Sequence, residues 1–142
     1  MEIELIKAQD TDKDFLLRLR KLTMVEHLEK AGLYLSDEEH IQRIKKYFEC
    51  SRIILYLTKK AGLIKYLETD DTIEILQLQV LPEYQGKGIG KHLLNELYTK
   101  ARGREKKLTL KVLKDNPAKH LYERTGFKVI GEDDYEYYMK LS

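Results

Sequence analysis

Residues 2–8 alternate polar and apolar around Ile3, Leu5 and Ala8, the period-two pattern of a short strand. From Phe15 the period lengthens. Phe15, Leu16, Leu19, Leu22, Val25 and Leu28 fall at helical spacing, so a helix is predicted over 11–31, with Thr11 and Asp14 in a capping arrangement and Gly32 as its stop. Ser36 with Glu39 is a capping box for a second helix over 37–50, whose apolar face is Ile41, Ile44, Tyr47 and Phe48. Three strand-like runs follow: 52–58, 63–68 and 72–81. Lys60-Ala61-Gly62 and Asp70-Asp71 are the expected turns, which makes an antiparallel meander. In the third run, Ile73 and Ile75 share one parity while Leu76, Leu78 and Val80 share the other. Either both faces are buried or an extra residue bulges between them.

A helix stripe of Ile89, Leu93, Leu94, Leu97 and Ala101 comes next, stopped by Gly103, and then a strand through Leu108, Leu110 and Val112. Asn116-Pro117 opens another helix, with Asn as cap and Pro suited to the first helical position. Ala118, Leu121, Tyr122 and Thr125 form one face of it, and Gly126 ends it. Residues 127–130 and 135–141 read as a closing strand pair. The order β, α, α, β, β, β, α, β, α, β, β predicts one α/β domain over 1–142, a mixed sheet with helices on both faces.

Composition narrows the function classes only slightly. The 26 basic and 24 acidic residues nearly cancel, so global charge gives no reason to expect a nucleic-acid or membrane partner. Cys50 is the single cysteine, which excludes an intrachain disulfide and a thiolate zinc site. The four histidines are scattered and read as surface or packing residues rather than as metal ligands. No signal peptide and no membrane-length apolar run is visible, and the expected location is the cytoplasm.

The informative stretch is PEYQGKGIGKHLL, residues 82–94, with Gly86, Gly88 and Gly90 at the mouth of a helix. It fails as a Walker loop, because Gln85 and His92 stand where Gly and Ser/Thr belong. It also fails as a dinucleotide fingerprint, because Lys91 stands at the third glycine. What remains is either a purely structural glycine turn or a helix N-terminus whose amides, unshielded by β-carbons, could approach a phosphate. Three glycines with two lysines exceed what a turn needs and favour the second.

Gln85, Gly88 and Gly90 in Q-x-x-G-x-G, after the run LQVLPEY, resemble the acetyl-CoA-binding signature of the GNAT superfamily of N-acyltransferases. NPAKHLYERTGF, residues 116–127, resembles a second segment of that family. The resemblance is strong over 72–130 and weaker over the first 60 residues. It implies a mixed, mostly antiparallel sheet of six or seven strands flanked by about four helices. It also implies two strands, 72–81 and 107–113, that splay apart around the pantetheine arm. Backbone groups of Leu78 and Val80 would bind that arm. Gln85, Gly86, Lys87, Gly88, Ile89, Gly90 and Lys91 would hold the pyrophosphate, with Asn116 and Lys119 near the cofactor. Tyr122 matches the tyrosine that serves the leaving thiolate. Glu74, eleven residues before Gln85, matches the catalytic Glu of one branch of the family.

The implied reaction is acetyl transfer from acetyl-CoA to a primary amine by direct attack in a ternary complex. A non-catalytic acyl-CoA sensor is the alternative. Glu26, Glu29, Asp37, Glu38 and Glu39 could attract a cationic amine or simply stabilise helix starts and surfaces. Tyr135, Tyr137 and Tyr138 mark a C-terminal strand that could pair with a second subunit.

Overall fold

A computed structural model describes residues 2–141. The elements are β1 (Ile3–Lys7), α1 (Lys13–Lys30), α2 (Asp37–Lys45), β2 (Ser51–Tyr56), β3 (Lys59–Glu68), β4 (Thr72–Val80), α3 (Ile89–Gly103), β5 (Lys107–Leu113), α4 (Ala118–Thr125), β6 (Lys128–Glu132) and β7 (Glu136–Leu141). Their order is the one the hydrophobic pattern predicts. The strands form one sheet in the order β1-β2-β3-β4-β5-β7-β6, antiparallel everywhere except between β4 and β5. That parallel pair requires a crossover, which α3 supplies.

Two apolar layers sandwich the sheet. Ile73, Ile75, Leu108, Leu110 and Val112 pack with the α3 stripe (Ile89, Leu93, Leu94, Leu97, Ala101) and with Tyr122 of α4. Leu16 and Leu19 of α1 and Ile44 of α2 pack with Ile53 and Leu63 on the other face.

Three local expectations are corrected. The β2–β3 turn is Leu57-Thr58 rather than 60–62, with φ of 50° and 69°. Positive φ at both central residues is what a two-residue hairpin demands, and glycine or asparagine usually supplies it. Gly62 lies instead inside β3, where a β-carbon would come within 2.2 Å of the Gln79 carbonyl oxygen on β4. The second helix ends at Lys45; Tyr47 is left-handed (φ 54°), and a separate 3-10 turn spans Phe48–Cys50. Finally, β7 lies between β5 and β6, so its ladder is filled from both sides within the chain, and the tyrosine strand has no free edge for a second subunit.

The caps agree better. Ser36 and Glu39 form the reciprocal capping box. Gly32 (φ 81°) and Gly126 (φ 116°) end α1 and α4. The Asn116 side chain accepts from the Ala118 amide at 2.9 Å. The expected Thr11–Asp14 cap is not formed: α1 starts without a side-chain cap, and the Asp12 carboxylate instead accepts from the Gln9 amide across the 3-10 turn Asp10–Asp12 that precedes the helix.

Candidate active site

The site begins with the parity change in β4. Tyr66 pairs with Ile75 and Lys65 with Gln77, so Leu76 is an extra residue, a β-bulge. Of the two readings of the sequence, the bulge is the one observed. It puts Leu78 and Val80 on the same face as Ile73 and Ile75, where they pack against the α3-side core. The parallel ladder between β4 and β5 stops at the same place. It runs from Thr72–Lys107 to Ile75–Leu110 and no further. Beyond it the two strands diverge.

The backbone that this divergence frees can be assigned. The Leu81 amide donates to the Ala61 carbonyl on β3. Antiparallel pairs alternate, so Leu81, Gln79 and Gln77 direct their amides and carbonyls toward β3, while Leu78 and Val80 direct theirs into the gap. The Val80 carbonyl is already taken by the Gln85 side chain, which donates from Nε2 at 2.9 Å. Gln85 thus ties the glycine loop back to β4.

The gap opens into a cavity of about 880 Å³. On one side it is walled by Gly86, Gly88, Ile89, Gly90 and Lys91. The first intrahelical bond of α3 runs from the His92 amide to the Gly88 carbonyl, and no side chain caps this end. The first-turn amides therefore point outward at the positive end of the helix dipole. A diphosphate fits that donor set, and Lys91 adds a cation.

The glycines divide the work. Gly86 (φ 77°) and Gly88 (φ 83°) supply left-handed backbone. Gly90 is helical and admits α4: a β-carbon there would meet Leu121 Cδ2 at 3.0 Å. Its absence of side chain serves helix packing, which the sequence reading did not foresee.

Asn116, Leu121, Tyr122, Arg124 and Thr125 form the opposite wall. Tyr122 is 7% exposed and packs edge-to-face on Phe127 at 5.9 Å. Its hydroxyl makes no hydrogen bond among the described residues, and burial pushes its pKa up to about 12.

Other candidates lie elsewhere. Lys119 stacks over Tyr137 at 4.8 Å, pairs with Glu123 at 3.4 Å, and does not line the cavity. Neither does Lys87, which is exposed. Glu74 sits in the paired segment before the bulge, between Leu67 and Thr109, also outside the cavity. Of the acids proposed to attract an amine, Asp37 pairs with Lys21, Glu26 with Lys30, and Glu39 closes the capping box; none lines the cavity.

The sequence reading missed the third wall: Thr23, Met24 and His27 of α1, with Gln79 of β4. Thr23 and His27 are one helical turn apart, which was the available signal. It also missed Arg124 of α4, which lies outside the Ala118, Leu121, Tyr122 and Thr125 face that the spacing marks. Among the described residues no three His, Cys, Asp or Glu side chains come together as a metal site, and no helix is long and apolar enough to cross a membrane.

Residues 49–129, more than half the chain, match the model of the acetyltransferase (GNAT) domain. Solved structures agree in fold over nearly the whole length. A PaiA N-acetyltransferase from Thermoplasma acidophilum, in complex with coenzyme A, is 23% identical with a TM-score of 0.73, covering 99% of this chain and 98% of that one. An acetyltransferase from Thermus thermophilus is 16% identical with a TM-score of 0.78, covering 99% and 97%. Arabidopsis thaliana Naa50, in complex with the bisubstrate analogue CoA-Ac-MVNAL, is 20% identical with a TM-score of 0.69, covering 100% and 99%. A search of curated protein sequences finds no match.

The splayed β4–β5 pair and the uncapped glycine helix α3 both lie within the stretch that matches the acetyltransferase domain. The chain belongs to the GNAT acetyltransferase family, and its reaction class is acetyl transfer.

Proposed function

We propose that the chain transfers an acetyl group from acetyl-CoA to a primary amine, by direct attack while both substrates are bound. The observation that carries this reading is the bulge at Leu76, which ends the β4–β5 ladder and turns the polar backbone of Leu78 and Val80 into the same cavity as the α3 N-terminus and Tyr122. Coenzyme A in the PaiA complex and the CoA-peptide analogue in the Naa50 complex support that choice of substrates.

Acetyl-CoA supplies an acetyl thioester. The α3 N-terminus, from Gly86 to Lys91, holds the diphosphate, and Asn116 and Arg124 flank it. Amides of Leu78 and Val80 bind the arm and donate to the thioester oxygen, where negative charge develops during attack. The Gln85 side chain keeps Val80 in place.

Tyr122 donates a hydrogen bond to the departing sulfur. Magnitudes decide its role. With its pKa at about 12 and an ordinary thiol near ~8.5, complete proton transfer is uphill by roughly 3.5 pK units, about 5 kcal/mol. The phenol therefore stabilises the thiolate as a donor more than it protonates it. Glu74 retains a role as base only through a water that reaches past the bulge, because no carboxylate lines the cavity among the described residues.

The test is thiol release over a panel of amines. Acceptor-dependent CoA release is expected. Acetyl-CoA binding with no release for any amine would sink the transferase reading and leave an acyl-CoA sensor.

A further inference from the structure

The α1 side of the cavity holds two polar side chains that the fold leaves unused. Gln79 projects from β4 on the face it shares with Leu63, under α1. It is 5% exposed and lines the cavity, and its amide makes no hydrogen bond among the described residues. His27 lines the same cavity from α1, its Nδ1 buried without a partner. Nε2 has none either among the described residues, and it is the ring nitrogen left to meet a ligand. Thr23, one turn earlier, is already committed, its hydroxyl donating to the Leu19 carbonyl at 2.8 Å.

Buried polar groups are normally paired, and an unpaired one costs free energy that folding alone does not recover. His27 Nδ1 is such a group, and beside it the Gln79 amide lines the cavity with no partner among the described residues, so both side chains are available to a ligand. The same rule favours one tautomer of His27. An N–H at Nδ1 would be a buried donor without acceptor, which is rarer and costlier than a bare lone pair. In the tautomer with the proton on Nε2, the buried Nδ1 keeps only a lone pair and Nε2 presents a donor to the cavity.

We propose that Gln79 and His27 form the acceptor subsite and that it selects an amine flanked by a neutral amide, as in a peptide N-terminus or an amino-acid amide. The proposal rests on the acetyltransferase reading and deepens it. The Gln79 amide offers one donor face and one acceptor, the complement of a peptide group, and His27 Nε2–H adds a donor for its carbonyl oxygen. A polyamine finds no counter-charge, because no carboxylate lines the cavity among the described residues. The cationic lining residues, Lys91 and Arg124, belong to α3 and α4 across the cavity from α1, so a free carboxylate beside the amine gains no partner here. A site built to hydrogen-bond its substrate rejects analogues that leave its groups unpaired.

Steady-state CoA release by the full chain, with alaninamide, alanine and spermidine as acceptors, tests this without any variant. Alaninamide is expected to show at least tenfold higher kcat/KM than either of the others. Gln79→Met and His27→Leu should each raise the KM for alaninamide at least fivefold with the KM for acetyl-CoA unchanged. His27→Gln, whose amide N–H reaches close to the Nε2 position, should restore most of the loss. Equal use of spermidine or alanine, or an alaninamide KM within twofold of the parent in both variants, overturns the subsite. If no amine releases CoA, the transferase reading fails. The subsite is then judged by calorimetry of alaninamide against the CoA-saturated chain: heat that Gln79→Met abolishes sustains it, and no heat at millimolar alaninamide overturns it.

Discussion

Under α3 and α4 the sheet presents Ile73, Ile75, Leu108, Leu110 and Val112, and the helices answer with an unbroken apolar stripe. Under α1 and α2 the layer is mixed. Arg20 is 3% exposed and donates from Nε to His40 Nδ1 at 2.9 Å, and His40 itself is buried. Lys65 is fully buried, with Nζ on the carbonyls of Arg43, Ile44 and Lys46 at the end of α2. Burial, with the neighbouring Arg43, lowers the Arg20 pKa to about 10. Burial, with Arg20 adding to it, lowers Lys65 to about 8.

The first face is held by apolar area, and the cavity at its edge is lined by the uncapped main chain of the α3 N-terminus together with Tyr122. The second face is held partly by two desolvated cations, Lys65 on backbone carbonyls and Arg20 on the His40 ring, which is expensive unless every donor is used. The difference teaches where variation can be absorbed. In the proposed reading, the cofactor wall depends on backbone geometry, and the acceptor wall depends on the polar side chains that α1 and β4 carry.

The largest expected effect lies on the cofactor side. Tyr122→Phe removes the hydroxyl and keeps the ring on Phe127, so kcat should fall at least tenfold. Donors to a developing charge typically contribute more, on the order of 100-fold. The KM for acetyl-CoA should change little. Unchanged kcat would remove Tyr122 from the mechanism and leave both faces without a side chain that touches the reacting atoms.

On the other face, Lys65→Met leaves three carbonyls without their donor and should destabilise the chain by about 2 kcal/mol in urea unfolding. The pH dependence is the sharper readout. Below about pH 8 Lys65 is protonated both folded and unfolded, and the burial penalty is fully present. Between about 8 and the ordinary value of 10.5 the folded chain sheds this proton first. The unfolded chain then binds more protons, and stability rises with pH. Tyr122 acts oppositely at higher pH: its folded pKa of about 12 exceeds the ordinary 10.0, so the unfolded chain ionises first and stability falls above about 10. Lys65→Met should abolish the rise between about pH 8 and 10; above about 10, Arg20, its own pKa lowered to about 10, still contributes a rise against the Tyr122 fall. A rise that persists in the variant between about pH 8 and 10 would mean Lys65 is not the strained cation of the α2 face.

The same contrast explains what could be read from sequence. Element order, the Ser36–Glu39 box, the Asn116 cap and the glycine-rich start of α3 are local features, each fixed by residues a few positions apart, and they appear where the pattern places them. The bulge was visible as a parity change, but only the pairing with β3 decided it. The Leu57-Thr58 turn was missed because neither residue prefers positive φ. Gly62 pointed to the wrong place because its job, close approach to Gln79, is tertiary. His27 and Gln79 carry no motif; the one-turn spacing of Thr23 and His27 marks a helix face, but only the packing of α1 over β4 brings His27 and Gln79 to one cavity.

The smallest effects separate the glycines at the cofactor wall. Gly88 is left-handed, with φ of 83°. Gly88→Ala should cost about 1–2 kcal/mol of local strain, and because that strain bears on the first-turn amides, the KM for acetyl-CoA should rise several-fold. Gly90→Ala is a different perturbation. Its new β-carbon meets only Leu121 Cδ2, the end of a flexible side chain, at 3.0 Å, and the helical backbone accepts alanine readily. Leu121 can turn aside, but it lines the cavity, so the KM for acetyl-CoA should rise by no more than about threefold with stability within about 1 kcal/mol of the parent. Should Gly90→Ala instead abolish acetyl-CoA binding while Gly88→Ala spares it, the phosphate would have to lie against the α3 residue assigned here to helix packing, and the division of work among the three glycines would be reversed.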